Sequence, residues 1–79
     1  MRLDKYLKVS RLIKRRTIAN EACDAGRISV NNNKAKASYE VKVGDRVTIA
    51  MGQVPLTIVV VSISEHVRKE EAAAMYRAE

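Results

Sequence analysis

Residues 1–16 read MRLDKYLKVSRLIKRR and carry seven of the fifteen Lys and Arg residues of this 79-residue chain. The stretch has one acidic residue, Asp4, so its net charge of +6 equals that of the whole chain. Beyond it, eight basic and eight acidic residues balance. Basic charge concentrated on one segment is typical of a polyanion binder, because each neutralised phosphate releases condensed counterions. We call residues 1–16 the basic arm.

Two periodicities in the basic arm exclude one continuous helix. Basic residues recur at every third position, whereas Leu3, Tyr6 and Leu7 have the spacing of a buried helix face. In a straight helix, Lys14 would lie within about 20° of Leu3 and would point its charge into the core. The helix is therefore expected to end or turn near Ser10.

This reasoning predicts a first helix over about residues 3–9 and a second over about residues 15–24. The apolar stripe of the second helix is Ile18, Ala19, Ala22, Cys23 and Ala25. Gly26 follows as the expected C-terminal stop. Residues 14–16 put three cations at the positive end of the helix dipole, where a bound anion would relieve them. The alternative is that these long side chains extend into water.

After Gly26 the pattern alternates as in a strand. Residues 27–31 predict a strand with Ile28 and Val30 inward, and the triplet Asn31–Asn33 predicts a turn, because Asn tolerates a left-handed backbone. Further extended pieces are expected at residues 41–43, 47–51 and 56–63, and a short helix at residues 69–78.

Length and composition predict one small domain over residues 1–79 with little room for a deep catalytic cleft. No stretch approaches the roughly 18 apolar residues of a membrane span, and the N-terminus lacks the apolar region of a secretory signal, so we expect a cytoplasmic protein. The lone Cys23 cannot form an internal disulfide and is expected to be buried. We expect no cofactor and no metal.

Several motifs together are similar to the RNA-binding domain named after small-subunit ribosomal protein S-four. They are R-L-D-K-Y-L-K at residues 2–8, Ser10-Arg11, Arg15 and Arg16, G-R-I-S-V-N at residues 26–31 and V-G-D at residues 43–45. The resemblance covers about residues 1–50, with Asn32 in place of the usual turn glycine. The chain most resembles the heat-shock-type ribosome-associated proteins, and its tail from residue 69 to 76 resembles the subgroup of ribosome-associated quality-control P proteins.

The resemblance implies an α+β fold in which two N-terminal helices pack on a small, curved, mostly antiparallel sheet. Residues 1–50 would form the RNA-binding motif, 51–68 a hairpin that completes the sheet, and 69–79 a tail or short helix. It also implies a function. Members of the subgroup bind the RNA of obstructed large ribosomal subunits and their peptidyl-tRNA, and support C-terminal tailing of stalled chains beside a separate tRNA-recruiting tailing factor. We expect a monomer.

The candidate RNA-binding residues come from charge and motif position. Arg can grip a phosphate with two N–H groups, which favours the arginines of the arm as direct contacts. The primary set is Arg2, Arg11, Arg15 and Arg16, with Lys5, Lys8 and Lys14 as surrounding charge and Arg27 and Lys34 as secondary candidates. Asp4 is expected to support the site, either near the start of the first helix or by orienting a neighbouring arginine.

Three tyrosines and no Phe or Trp make a base-stacking platform improbable, so structured RNA read through phosphates and shape is the expected ligand. His66 lies in a charged stretch without a catalytic partner, and no enzyme activity is expected. A general ribosomal RNA or tRNA-binding assembly or recycling factor remains an alternative. A double-stranded DNA-binding protein is a further one, and a membrane-surface role is weaker still.

Overall fold

The computed structural model describes all residues from Met1 to Glu79. In chain order its elements are α1 (Leu3–Val9), α2 (Arg16–Asp24), β1 (Ile28–Val30), β2 (Asn33–Lys34), β3 (Arg46–Ile49), β4 (Leu56–Val60), a 3-10 helix η1 (Lys69–Met75) and β5 (Tyr76–Ala78). The five strands form one sheet in the order β2-β1-β3-β4-β5, and every pairing is antiparallel. This arrangement confirms the predicted α+β class.

The core lies between the helices and one face of the sheet. Leu3, Tyr6 and Leu7 are fully buried, so the periodicity of α1 identified its core face correctly. Ile28 and Val30 point inward from β1 as predicted and lie opposite Ile49 and Val47 of β3. One apolar cluster of 16 buried residues runs through the helices, the sheet and η1.

The second helix begins one residue later than predicted, since Arg15 is extended and serves as its N-cap. Gly26 follows the C-cap residue with a positive φ of 72°, as expected for a helix stop. Ile18 and Ala25 were wrongly included in the buried stripe: Ile18 is 39% exposed, and Ala25 is exposed as the C-cap residue. The buried line of α2 runs through Ala19, Ala22 and Cys23, and Ile18 lies about 100° away from Ala19 around the helix.

Two asparagines replace glycine in the turn between β1 and β2. Asn31 and Asn32 have φ values of 52° and 71°, and Val30 pairs with Asn33 across the turn. The Asn31 side chain donates to Asp45 Oδ1 at 3.2 Å and accepts from the backbone N–H of Arg46 at 3.0 Å. These bonds tie the turn to β3 and help to hold a left-handed backbone without glycine.

The strand predicted over residues 56–63 ends earlier, at Val60. At Val60 the strand beside it, β3, gives way to the turn that precedes it, since the N–H of Gly44 in that turn donates to the carbonyl of Val60 at 2.8 Å. The N–H groups of Val61 and Ser62 both donate to the carbonyl of Met75. The expected extension at residues 41–43 is likewise no strand; Val41 is buried and Val43 is 62% exposed.

The helix predicted over residues 69–78 divides into η1 and β5. Ala72 and Met75 are buried, and a spacing of three residues matches the pitch of a 3-10 helix. From Tyr76 onward the chain pairs with β4, whose edge would otherwise be unpaired. The predicted short helix is present but ends at Met75, three residues early, because a helical periodicity carries no information about an available strand edge.

Tyr6→Phe is expected to lower the free energy of unfolding by about 0.5 to 1.5 kcal/mol, the net contribution of one hydrogen bond. The hydroxyl of Tyr6 is buried and donates to the carbonyl of Met75 at 2.9 Å, joining α1 to the end of η1. The substitution keeps the ring and removes one donor, while the Met75 carbonyl still accepts from the N–H groups of Val61 and Ser62. Urea denaturation followed by circular dichroism measures the change, and Tyr39→Phe is a control because that hydroxyl is partly exposed.

Candidate nucleic-acid interface

A tight turn folds the basic arm back on itself. α1 ends at Val9, and the buried hydroxyl of its C-cap residue Ser10 donates to the carbonyl of Leu7 at 3.3 Å. Arg11 then adopts a positive φ of 63°, and the N–H of Ile13 donates to the Leu7 carbonyl at 3.0 Å. The buried side chain of Ile13 fixes the turn to the core, while the Arg11 side chain stays exposed.

The turn brings Arg2 and Arg16 to the same carboxylate, that of Asp4. The Nε atom of Arg2 lies 3.2 Å from Oδ1, and the Nε atom of Arg16 lies 3.4 Å from Oδ2. Asn20 of α2 donates its side-chain N–H to Oδ2 at 3.3 Å. The Asp4 side chain is 3% exposed, while those of Arg2 and Arg16 are 47% and 48% exposed. We call Arg2 and Arg16 the arginine pair.

Asp4 fulfils both of the roles that the sequence left as alternatives, at the start of the first helix and beside a neighbouring arginine. It lies in the first turn of α1 and accepts the N–H of Lys5 at 2.8 Å, and it also pairs with both arginines. Burial alone would raise the pKa of Asp4, but hydrogen bonds from Arg2, Asn20 and Arg16 outweigh burial and hold that pKa below its usual range. The carboxylate is therefore ionised at neutral pH.

Acidification is expected to destabilise the fold through Asp4. Because its pKa is lower in the folded chain than the usual 3.8, its stabilisation is complete above about pH 5 and is lost as pH falls through the folded value. Urea denaturation at decreasing pH measures this loss. In Asp4→Asn the free energy of unfolding should fall less steeply as the pH is lowered. Some loss should remain, since the pKa of Glu40 is also lowered by a hydrogen bond from the terminal amino group. The same loss of stability at low pH in the variant and the wild-type chain would show that Asp4 does not contribute to it.

A second basic group lies at the other end of α1. Lys8 and Arg11 line a shallow cleft with His66 and Arg68, and the one carboxylate in the cleft, Glu65, is bonded to Lys5 at 3.0 Å. We call Lys8, Arg11, His66 and Arg68 the basic cleft. The candidate Lys5 is therefore partly neutralised. Arg68 was missed because it lies 57 positions after Arg11 in the sequence, and only the fold puts the two side by side.

Lys14 and Arg15 are exposed at the N-terminal end of α2. No side chain caps this end, and the first intrahelical bond runs from the N–H of Ala19 to the carbonyl of Arg15 at 3.1 Å. The first turn of α2 also contains no acidic residue. Exposed cations thus lie at an uncapped, positive helix end, which is the arrangement from which the sequence predicts a bound anion near residues 14–16.

The secondary candidates Arg27 and Lys34 lie beyond α2. Both are exposed, and Lys34 crosses over Gly26, where an added Cβ would lie 3.3 Å from its Nζ. Lys34 thus places its charge at the negative end of the α2 dipole. The sequence reasoning missed Lys36, which lines a groove with Arg2 and Asn20 and extends the basic surface toward Lys34.

The aromatic side chains do not form a stacking platform. Tyr6 is buried, Tyr76 is half-buried, and the Tyr39 hydroxyl donates to Asp45 Oδ2 at 3.1 Å. Cys23 is buried as expected, and burial raises the pKa of its thiol to about 11, with Asp4 and Asp24 adding to the effect. None of the helices has the length and apolar character needed to cross a bilayer.

Comparison with known proteins places this geometry in a family. Residues 1–47 match the S4 domain family. The chain is 59% identical over 76 residues to an RQC P-site tRNA stabilizing factor of Bacillus subtilis, covering 96% of this chain and 88% of that protein. It is 58% identical to the protein of the same name from Halalkalibacterium halodurans, again over 96% of this chain and over 86% of the relative.

A solved structure agrees with the fold. Heat Shock Protein 15 of Vibrio cholerae, described as a trimer, superposes with a TM-score of 0.93 at 34% identity and covers all of this chain and 81% of its own. The sequence matches span nearly the whole chain, and the S4 match contains the basic arm and the hairpin of β1 and β2. The chain is therefore a member of the S4 domain family and, within it, of the family of RQC P-site tRNA stabilizing factors.

Proposed function

We propose that this protein binds ribosomal RNA and P-site tRNA on large ribosomal subunits that carry an obstructing peptidyl-tRNA, and that it acts there in ribosome-associated quality control. Its family membership supports the quality-control role and the P-site tRNA as a partner. The observation that carries the RNA contact is the arginine pair, two half-exposed arginine side chains gathered on one surface of a basic arm with a net charge of +6.

The finer steps of the proposal follow from the same family. The protein would support template-free C-terminal tailing of the stalled chain, beside a separate tRNA-recruiting tailing factor. It would act as a monomer in the cytoplasm and by binding rather than catalysis. His66 is exposed and lines the basic cleft with Lys8, Arg11 and Arg68.

Structured RNA is favoured over duplex DNA by the exposed side of α2. Glu21 and Asp24 are exposed there, and both carboxylates would repel phosphates if α2 entered a major groove. The cations lie at the beginning of α2 and on α1 instead. An Arg and Lys surface of this kind suits RNA that is recognised through phosphates and shape.

Sedimentation distinguishes this proposal from a general assembly or recycling factor. Tagged protein is mixed with large subunits carrying peptidyl-tRNA, with vacant large subunits, with free large-subunit RNA and with duplex DNA, all at one salt concentration. Clear preference for the obstructed subunits is expected, together with reduced tailing when the protein is removed from cells. Equal binding to vacant subunits would support the general factor, and preference for duplex DNA would overturn RNA binding.

Binding to large-subunit RNA is expected to weaken with salt, with a log–log slope of about −3 to −5. This value corresponds to about five of the seven cations of the basic arm reaching phosphates. Filter binding over a series of potassium chloride concentrations measures the slope. A slope near zero would refute the electrostatic basis of the interface.

A further inference from the structure

Asp4 is the single acidic residue of the basic arm, and it lies against the surface that the proposed function gives to RNA. A carboxylate in this position lowers the local positive potential and, by charge alone, would weaken phosphate binding. The burial of Asp4 and its hydrogen bonds with Arg2 and Arg16 indicate the opposite effect, a gain in RNA affinity.

Both oxygens of Asp4 are occupied. Oδ1 accepts from Arg2 Nε at 3.2 Å, from Arg16 Nη2 at 3.5 Å and from the backbone N–H of Lys5 at 2.8 Å. Oδ2 lies 3.4 Å from both Arg2 Nη2 and Arg16 Nε and accepts from Asn20 at 3.3 Å. The carboxylate is therefore surrounded by donors and is buried beneath the two guanidiniums.

Each arginine uses the same edge toward Asp4. The Nε and Nη2 atoms of Arg2 face the carboxylate, and so do those of Arg16. A guanidinium has five N–H donors in a planar fork, so about three remain on each side chain after this pairing. Since each side chain is about half exposed, these remaining donors are available at the surface.

We propose that Asp4 and Asn20 are positioning residues for RNA binding, which hold the arginine pair as a pre-organised clamp for phosphate oxygens. A free arginine side chain samples many rotamers and loses that freedom when it binds. A guanidinium already held by a buried carboxylate loses less, so affinity rises although net charge falls. Asn20 contributes by donating to Oδ2 from the rigid frame of α2, without adding charge.

The proposal rests on the proposed function and makes a prediction opposite to simple electrostatics. Asp4→Asn adds one unit of net positive charge, which alone would strengthen binding to RNA. Loss of the clamp should instead weaken binding of the full chain to purified large-subunit RNA by about tenfold. Asn20→Ala, which leaves net charge unchanged, should weaken the same binding by about threefold.

A double-mutant cycle separates positioning from a general effect on the fold. Asp4→Asn is made both in the wild-type chain and in a chain carrying Arg2→Ala and Arg16→Ala, with circular dichroism melts to give the folded fraction of each. The tenfold loss is expected in the first background, and less than about a twofold change in the second. If Asp4→Asn does not fold, Asn20→Ala is used in the same cycle.

Two results would overturn the inference. One is binding of Asp4→Asn or Asn20→Ala at wild-type strength or tighter, and the other is the same loss in both backgrounds. The proposed function fails separately, when the wild-type chain itself shows no preference for obstructed large subunits. Arg77→Ala is the control for removing an exposed arginine that has no ion pair in the structure.

Discussion

Leu7→Ala lowers the free energy of unfolding by an expected 2 to 5 kcal/mol, roughly the range for removing a fully buried leucine. Leu7 is 0% exposed, and its carbonyl accepts both the Ser10 hydroxyl and the N–H of Ile13 at the turn. A cavity at this position would loosen the junction of α1 with α2. Domains of this size have small margins of stability, so the loss can be most of the total.

Urea denaturation with circular dichroism is the appropriate measurement for Leu7→Ala. Val54→Ala is the matched control, because Val54 is 78% exposed and its truncation should change stability by less than about 0.5 kcal/mol. Similar midpoints for both variants would show that α1 does not pack as described. A variant too unstable to fold would agree with the expectation.

Replacing either member of the arginine pair is expected to weaken binding to the large subunit by about 1 to 3 kcal/mol. Arg2 and Arg16 each offer free guanidinium donors to phosphate, so Arg2→Ala or Arg16→Ala removes charge-assisted hydrogen bonds from the interface. In a density gradient the variant should move from the large-subunit fraction toward the top. Tailing of stalled chains should fall with it if the proposed function is correct.

The fold must be checked in these arginine variants. Exposed arginines are ordinarily replaced at little cost, but Arg2 and Arg16 both compensate the buried charge of Asp4. Each substitution should therefore lower the thermal midpoint somewhat while leaving the other arginine and Asn20 in contact with Asp4. Arg77→Ala, on β5 and opposite Val59, is the matched control for binding. Equal gradient profiles for Arg16→Ala and Arg77→Ala would exclude the arginine pair from the interface.

Local patterns predicted much of the fold and part of the site. The buried face of α1, the break near Ser10, the inward residues of β1 and the asparagine turn each depend on neighbours within a few positions. The extent of β4 and the division of the tail into η1 and β5 do not, because each depends on which strand edge lies alongside. Similarly, charge alone identified the basic arm but not Lys36, Arg68 or Asn20 as its neighbours.

The sequence by itself determined where the positive charge is, that the arm must turn, and which faces of its helices are apolar, because these properties repeat within one or two helical turns. Only the tertiary structure decided that Arg2, Arg16 and Asn20 meet at Asp4, and that Arg68 joins Lys8 and Arg11. Those contacts join residues up to 60 positions apart in the chain. They depend on the direction in which α2 crosses α1 and on the return of the chain after β4, and side-chain packing in the shared core sets both.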